Sequence, residues 1–321
     1  MVELNTTPPV DHSSTQVHPG VAPLVSLSDV SKRYGKLTVL QNLNLHVRPG
    51  EIYGFLGRNG AGKSTAIRLM MGISNPTSGT VSVFGSPMRG RRCSKARRHI
   101  GFVAQEQSFY PWMTPKRLGK FMRGLYPDWS DERYVDLLNR FELPLTRKAG
   151  SFSGGMKARL ALSMALAAMP RLLILDEPTA GMDPVARREF LSLVKAEVAN
   201  SDTTVFFSTH LIGDIESLAD RIGILDGGKL VYEGSLEGLS TRTACYTAHI
   251  TADTDAFPLD ELHGNPFEVV RAGGDTTQQT VVLRWLDSQT PNIPDSALPR
   301  GWEKVNMSLE DIFVAMILQQ H

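Results

Sequence analysis

Short apolar runs and alternating stretches follow one another along most of this chain, and they predict an α/β architecture. Val25 to Tyr34 and Thr38 to Val47 read as early strands joined at Gly35-Lys36, and Gly79 to Gly85 alternates with period two, as a half-buried strand does. Glu51 to Leu56, Leu172 to Leu175 and Thr204 to Phe207 are apolar runs typical of parallel strands buried on both faces. Helical spacing begins at Ala66 and returns between about Thr114 and Ala149, where Val135, Leu137, Leu138 and Phe141 share a stripe. That insert, about 114–150, is expected to form its own helical lobe. From residue 240 onward, Tyr246 to Ile250, Phe267 to Arg271 and Thr280 to Leu286 resemble strands, with a proline-rich stretch at Pro291 to Pro299. Ser308-Leu309-Glu310-Asp311 reads as a capping box opening a last helix with Leu309, Ile312, Phe313, Met316 and Ile317 at helical spacing. The expected organisation is a disordered tail over 1–23, a main domain over 24–239 and an accessory domain over 240–321. His12 and His18 in the tail are read as solvent-exposed.

Composition narrows the partners more than the fold. With 41% apolar and 21% charged residues and a net charge of +1, the chain has no global pull toward nucleic acid or anionic membranes, and no nucleic-acid partner is expected. Arg89, Arg91, Arg92, Lys95, Arg97 and Arg98 form one basic cluster, either a solvated helix face or a docking surface for acidic groups. Two distant cysteines, Cys93 and Cys245, supply neither a disulfide framework nor a zinc spacing, so a reducing compartment is the default. No run of 18 apolar residues and no signal-peptide pattern is visible, so the chain is expected on the cytosolic side, reaching a membrane only through partners.

The chemistry concentrates in Gly57-Arg58-Asn59-Gly60-Ala61-Gly62-Lys63-Ser64-Thr65. Strand, glycine-rich loop and helix are the context a phosphate-cradling P-loop requires. Glycines let successive amides turn inward as an anion nest, and the helix start adds its dipole. Lys63 can reach the β- and γ-phosphates, and the Ser64 hydroxyl can ligate Mg²⁺. The apolar run Leu172 to Leu175 then ends in Asp176-Glu177, at the strand end where open α/β sheets place ligands. Asp176 suits Mg²⁺ through water, and Glu177 can polarise an attacking water. Alone, the acid pair could equally cap a helix; the P-loop upstream favours catalysis.

Between these motifs, Ser153-Gly154-Gly155-Met156-Lys157 resembles the signature motif of ATP-binding cassette (ABC) ATPases. The remaining motifs are present in the family's order: Tyr34 as the A-loop aromatic, Gln105 as the Q-loop glutamine, Ala180-Gly181-Met182-Asp183 as the D-loop, and His210 as the H-loop switch. The resemblance covers about Leu24 to Leu239. It implies a P-loop ABC ATPase core with an antiparallel β subdomain and a helical subdomain, joined to a small C-terminal α+β appendage. Tyr34 is then expected to stack on adenine, Gln105 to serve Mg²⁺ and the attacking water, and His210 to bond the γ-phosphate. Ser153, Gly154, Gly155 and Asp183 are expected to act across a head-to-tail dimer, each ATP being held by the P-loop of one subunit and the signature of the other. Phe152 stands where the family usually has Leu, and Met182 replaces the usual D-loop Leu; neither change removes a catalytic group.

The resemblance therefore implies an ATP-hydrolysing subunit, most simply a homodimer, that powers separate integral-membrane permease subunits from the cytoplasmic face of the membrane. The final segment Ser308 to Phe313 and Tyr126-Pro127-Asp128-Trp129 look like the exporter type. Phe109, Tyr110, Trp112 and Met113 either line a groove for a membrane subunit's helix or pack the lobe against the sheet. A ribosome-acting or regulatory ABC ATPase without transport is the alternative.

Overall fold

The computed structural model describes residues 22–90, 93–199, 201–251, 254–257, 267–274, 277–285 and 298–318. The tail before residue 22, Arg91 and Arg92 of the basic cluster, and most of the proline-rich stretch lie outside the described residues. The chain divides into two compact units, one running to Glu233 and the other beginning at Gly234.

The first unit opens with β1 (Val25–Tyr34), β2 (Leu37–Val47), β3 (Ile52–Gly57), α1 (Lys63–Met70), β4 (Ser78–Val83) and β5 (Ser86–Pro87). It continues through α2 (Cys93–Arg97), β6 (Ile100–Val103), α3 (Pro115–Arg123), α4 (Asp131–Arg140), α5 (Gly154–Ala167) and β7 (Leu172–Asp176). Then come α6 (Pro184–Val198), β8 (Thr204–Thr209), α7 (Ile212–Leu218), β9 (Arg221–Asp226) and β10 (Lys229–Ser235). One antiparallel sheet has the order β2-β1-β4-β5; the larger sheet runs β10-β9-β3-β8-β7-β6. Within the larger sheet β9, β3, β8, β7 and β6 are mutually parallel. The apolar runs read from the sequence are its central strands, and β3, β7 and β8 are buried almost throughout. Leu27, Leu43 and Leu45 of the antiparallel sheet share a core with Phe55 and Ile67, so the two sheets and α1 solidify together.

β9 and β10 have no counterpart among the elements expected from periodicity. Their connection, Gly227-Gly228, holds φ at +50° and +81°, the left-handed pair that a tight hairpin demands.

Between β6 and α5 the chain forms the helices α3 and α4, with clear stop and start signals. Thr114 caps α3 by accepting from the Arg117 amide, Pro115 occupies the first turn, and Ser130 caps α4 through the Arg133 amide. Gly119 lets α3 press onto Tyr134, whose ring atom would sit 2.5 Å from an added Cβ. The expected stripe needs one correction: Val135 is 41% exposed, and Tyr134, 3% exposed, takes the core position with Leu137, Leu138 and Phe141. Its phenol donates to the Pro115 carbonyl, so a polar-tipped aromatic fills the site that the aliphatic pattern assigns to valine. α5 is apolar nearly all round because it is enclosed, packing on α4 at one side and β6 at the other.

The lobe is tied to the parallel-sheet body by a buried carboxylate. Glu197 of α6 is buried and receives Arg133 (2.5 Å) and Arg140, both from α4. In α2, Cys93 and Ala96 face inward while Lys95 and Arg97 are exposed, as a solvated helix face requires, and Arg89 before it and Arg98 after it are exposed as well. Both cysteines are buried.

The second unit contains α8 (Leu236–Thr241), β11 (Thr243–His249), β12 (Phe267–Gly274), β13 (Gln278–Trp285), β14 (Trp302–Val305) and α9 (Leu309–Leu318). Its antiparallel sheet has the order β12-β13-β11-β14, with Tyr246, Leu283 and Trp302 in its core. The capping box at α9 is real: the Ser308 amide donates to Asp311 Oδ2 and the Asp311 amide to Ser308 Oγ, each at 3.1 Å.

Replacing Glu197 by Gln should cost about 1–3 kcal/mol, because two charge-assisted hydrogen bonds weaken at once. Arg140→Ala should cost less, since Arg133 remains. Urea unfolding followed by circular dichroism measures both, and an unchanged Glu197→Gln midpoint would show that the lobe is held by apolar packing alone.

Candidate functional site

Parallel pairing brings the chemistry to one edge of the larger sheet. Leu56 of β3 pairs with Thr209 of β8, Ser208 of β8 with Asp176 of β7, and Leu175 of β7 with Val103 of β6. The C-terminal ends of four neighbouring strands therefore emit, side by side, the Gly57–Thr65 loop, His210, the Asp176-Glu177 pair and Gln105.

The loop has the conformation that its glycines predict. Gly60 and Gly62 hold φ at +83° and +113°. Gly62 is constrained twice, because an added Cβ would also meet Leu40 Cδ2 at 2.7 Å and the Val39 carbonyl at 3.0 Å. β2 thus presses directly behind the loop, fixing the antiparallel sheet against it. That sheet carries Tyr34, which is 47% exposed with Lys32 Nζ 4.8 Å from its ring centroid. Arg58, Asn59 and Gly60 are exposed at the tip, whereas Lys63 is 4% exposed.

Lys63 Nζ donates to the Gly57 and Arg58 carbonyls at 2.7 and 3.1 Å and pairs with Glu177 Oε1 at 2.9 Å. The other oxygen, Glu177 Oε2, lies 3.0 Å from His210 Nδ1. Burial pushes the Glu177 pKa up, but the hydrogen bonds and charges of Lys63 and His210 outweigh it and hold the group below the ordinary value of 4.5. Glu177 is accordingly ionised at neutral pH, and the stabilisation this arrangement gives is lost only as pH falls through that lowered pKa. An ionised carboxylate can only accept, so the His210 proton in this contact sits on Nδ1. Glu177 also holds φ at +42°, an uncommon left-handed conformation for a residue with a side chain.

Asp176 is oriented by two hydroxyls that donate to Oδ1: Ser64 at 3.2 Å and Ser208 at 2.8 Å. Ser208 further accepts from the Glu177 amide at 3.0 Å, so one buried serine sets both acids. Motif reading does not single out Ser208, because a serine inside an apolar strand carries no spacing signal; its role follows from the strand register.

The remaining expected residues lie on helix starts. Ser153 caps α5, accepting from the Met156 amide at 3.3 Å, and is exposed together with Gly154. Phe152 is buried in the place of the usual leucine. Asp183 caps α6; hydrogen bonds from the Ala186 and Val185 amides hold its exposed carboxyl below the ordinary range. Gln105 is exposed in the loop after β6, a loop steadied by the Gln107 side chain donating to the Ala104 carbonyl at 2.8 Å. Beyond it lies an open apolar groove of about 420 Å³, lined by Phe109, Tyr110, Phe121 and Met122 among others. The Trp112 ring lies against Tyr110, tilted by 41° with centroids 4.8 Å apart, and neither Trp112 nor Met113 is part of the lining.

For Mg²⁺, the donors present are oxygens: the Ser64 hydroxyl, the Asp176 carboxylate and the Gln105 amide oxygen, a set suited to a hard cation. Among the described residues no group of three or more His, Cys, Asp or Glu side chains could hold a metal alone, so a cation here would take much of its shell from phosphate and water. No helix among the described residues is long and apolar enough to cross a membrane.

Comparison with known proteins identifies the family. The family model described as ABC transporter matches residues 40–180. The ABC transporter ATP-binding protein YtrB of Bacillus subtilis strain 168 is 32% identical over 292 residues, 91% of this chain and 97% of that protein. The bacitracin transport ATP-binding protein BcrA of Bacillus licheniformis is 34% identical, over 75% of this chain and 79% of its own. Among solved structures, the dimeric, post-hydrolysis ATP-binding cassette MJ0796 with ADP and Pi superposes with a TM-score of 0.60 at 28% identity, covering 66% of this chain and 98% of that one. The similarity to YtrB along nearly the whole of both chains means that this chain belongs to the ABC transporter family, as an ATP-binding and ATP-hydrolysing subunit.

Proposed function

We propose that two copies of this chain close around ATP and that this closure drives an export-type transporter whose membrane-spanning subunits are separate chains. The observation that carries the dimer reading concerns two glycines. A Cβ on Gly154 or Gly155 would meet nothing within 4 Å in this chain, so no contact inside the subunit calls for glycine there. An approaching anionic group does, since a bare helix start exposes its amides and dipole. The exposed Ser153 and Asp183 serve the same seam. Export is supported by the relatives: BcrA is named for bacitracin transport, and LnrL of Bacillus subtilis, 36% identical over 68% of this chain, for linearmycin resistance. The open groove beside Tyr110 is apolar and aromatic, suited to receive a helix of the membrane subunit.

Within each site the residues divide the work. The Gly57–Thr65 amides and Lys63 bind the phosphates, with Lys63 exchanging the Gly57 and Arg58 carbonyls for phosphate oxygens. Tyr34 stacks on adenine. As Lys63 moves to phosphate, Glu177 Oε1 becomes free to accept a proton from water; the water oxygen bonds to the γ-phosphorus, and the bond to the bridging oxygen of ADP breaks. His210, fixed by Glu177, bonds the γ-phosphate, and Gln105 positions the water. When bound by Ser64, Asp176 and Gln105, Mg²⁺ supplies charge neutralisation on the phosphate oxygens.

Glu177→Gln should retain ATP binding, lower turnover by roughly 10²–10⁴-fold and accumulate an ATP-dependent dimer on size-exclusion chromatography; wild-type phosphate release would remove Glu177 from the role of base. Lys63→Ala should weaken fluorescent ATP binding itself, since the buried cation that meets the phosphates is gone. Ser153→Arg should leave binding by each monomer intact and prevent the ATP dimer. The transporter reading is tested by purifying tagged Glu177→Gln protein with ATP from detergent-solubilised membranes. A co-purifying polytopic membrane protein is expected, and ribosomal or nucleic-acid partners in its place would overturn it.

A further inference from the structure

One buried carboxylate has no place in the chemistry above. Asp214, in the first turn of α7, is 1% exposed. An acid favoured there only by the helix dipole could remain in water, and burying it costs free energy unless it is partnered. Asp214 Oδ2 accepts from Thr179 Oγ1 at 2.8 Å and from Thr209 Oγ1 at 3.0 Å. Its Oδ1 makes no hydrogen bond among the described residues and has Arg187 Nε at 3.5 Å as its ionic neighbour.

These partners mark the segments that flank the site. Thr179 lies two residues beyond Glu177 in a chain of tight turns: the Ala180 amide donates to the Glu177 carbonyl and the Met182 amide to the Thr179 carbonyl, both at 3.1 Å. Arg187 is one turn into α6, and its amide donates to the Asp183 carbonyl at 3.0 Å. The Thr209 hydroxyl also accepts from the Leu211 amide at 3.0 Å, so a single hydroxyl brackets the backbone of His210 from both sides. Asp214 therefore joins the loop from Glu177 to Asp183 with the segment that carries His210.

We infer that Asp214 is a positioning residue for hydrolysis, holding His210 and the Glu177–Asp183 loop in register through Thr209 and Thr179. The inference rests on the proposed roles of Glu177 and His210. Two hydroxyls converging on one carboxyl oxygen at 2.8 and 3.0 Å form the fixed part of the strut, because hydrogen bonds this short are directional. The longer contact to Arg187 is the looser arm, on the side of Asp183.

The test compares wild type, Asp214→Asn, Thr179→Val, Thr209→Val and Thr209→Ser for kcat, KM, binding of a non-hydrolysable ATP analogue and Tm. Thr209→Val and Asp214→Asn should lower kcat by about 10–100-fold while analogue affinity stays within about twofold, the cost of a misplaced rather than a missing group. Thr179→Val should behave alike, and Thr209→Ser, which keeps the hydroxyl, should restore most of kcat. Wild-type kcat in the valine variants, failure of serine to rescue, or a joint fall of kcat, affinity and Tm would each overturn the positioning role. Glu177→Gln measured in parallel separates the two layers: wild-type turnover in that variant defeats the proposed catalytic roles, whereas its loss of turnover beside unaffected Asp214 and Thr209 variants defeats only this inference.

Discussion

Everything in the site depends on parallel strand pairing in register. A parallel sheet places the C-terminal ends of its strands on one side, and here β3, β8, β7 and β6 lie adjacent although β6, β7 and β8 follow β3 only after long excursions. A slip of one residue between β7 and β8 would turn Ser208 away from Asp176, since side chains alternate faces. The near-complete burial of β7 and β8 on both faces is what makes such a slip prohibitive. Core packing thereby sets hydrogen-bond distances at the sheet edge.

On this frame the local charges are balanced rather than merely gathered. Lys63 is almost wholly buried, a costly place for an ammonium, and its two carbonyl partners together with Glu177 meet that cost. Glu177 in turn stays ionised because Lys63 and His210 face its two oxygens. The carbonyl and carboxylate oxygens around Lys63 are partners of the kind a phosphate oxygen can stand in for, whereas Glu177 keeps only His210 once Lys63 turns to another anion.

Much of this was legible in the chain, and the exceptions have physical reasons. Strand ends were readable because two-sided burial produces unbroken apolar runs, and the glycine-rich loop because only glycine reaches φ +113° beneath Leu40. Ser208 was hidden because its function arises from pairing across strands distant in sequence. Val135 misled because a stripe counted on aliphatic residues overlooks an aromatic that buries its ring while hydrogen-bonding its hydroxyl. The β9–β10 hairpin is announced by Asp226-Gly227-Gly228, a turn signal independent of periodicity. The groove residues showed composition but not orientation: Phe109 and Tyr110 line it, and Trp112 and Met113 do not.

The left-handed backbone at Glu177 has an evolutionary corollary. A side-chain-bearing residue at φ +42° gives up about 1–2 kcal/mol that glycine would keep. Selection for folding alone would therefore draw this position toward glycine or asparagine, and under the role proposed for Glu177 it is selection for turnover that opposes that drift. In a lineage where the motor became idle while its scaffold stayed useful, decay would begin at this residue, leaving a cassette that still binds nucleotide and no longer spends it.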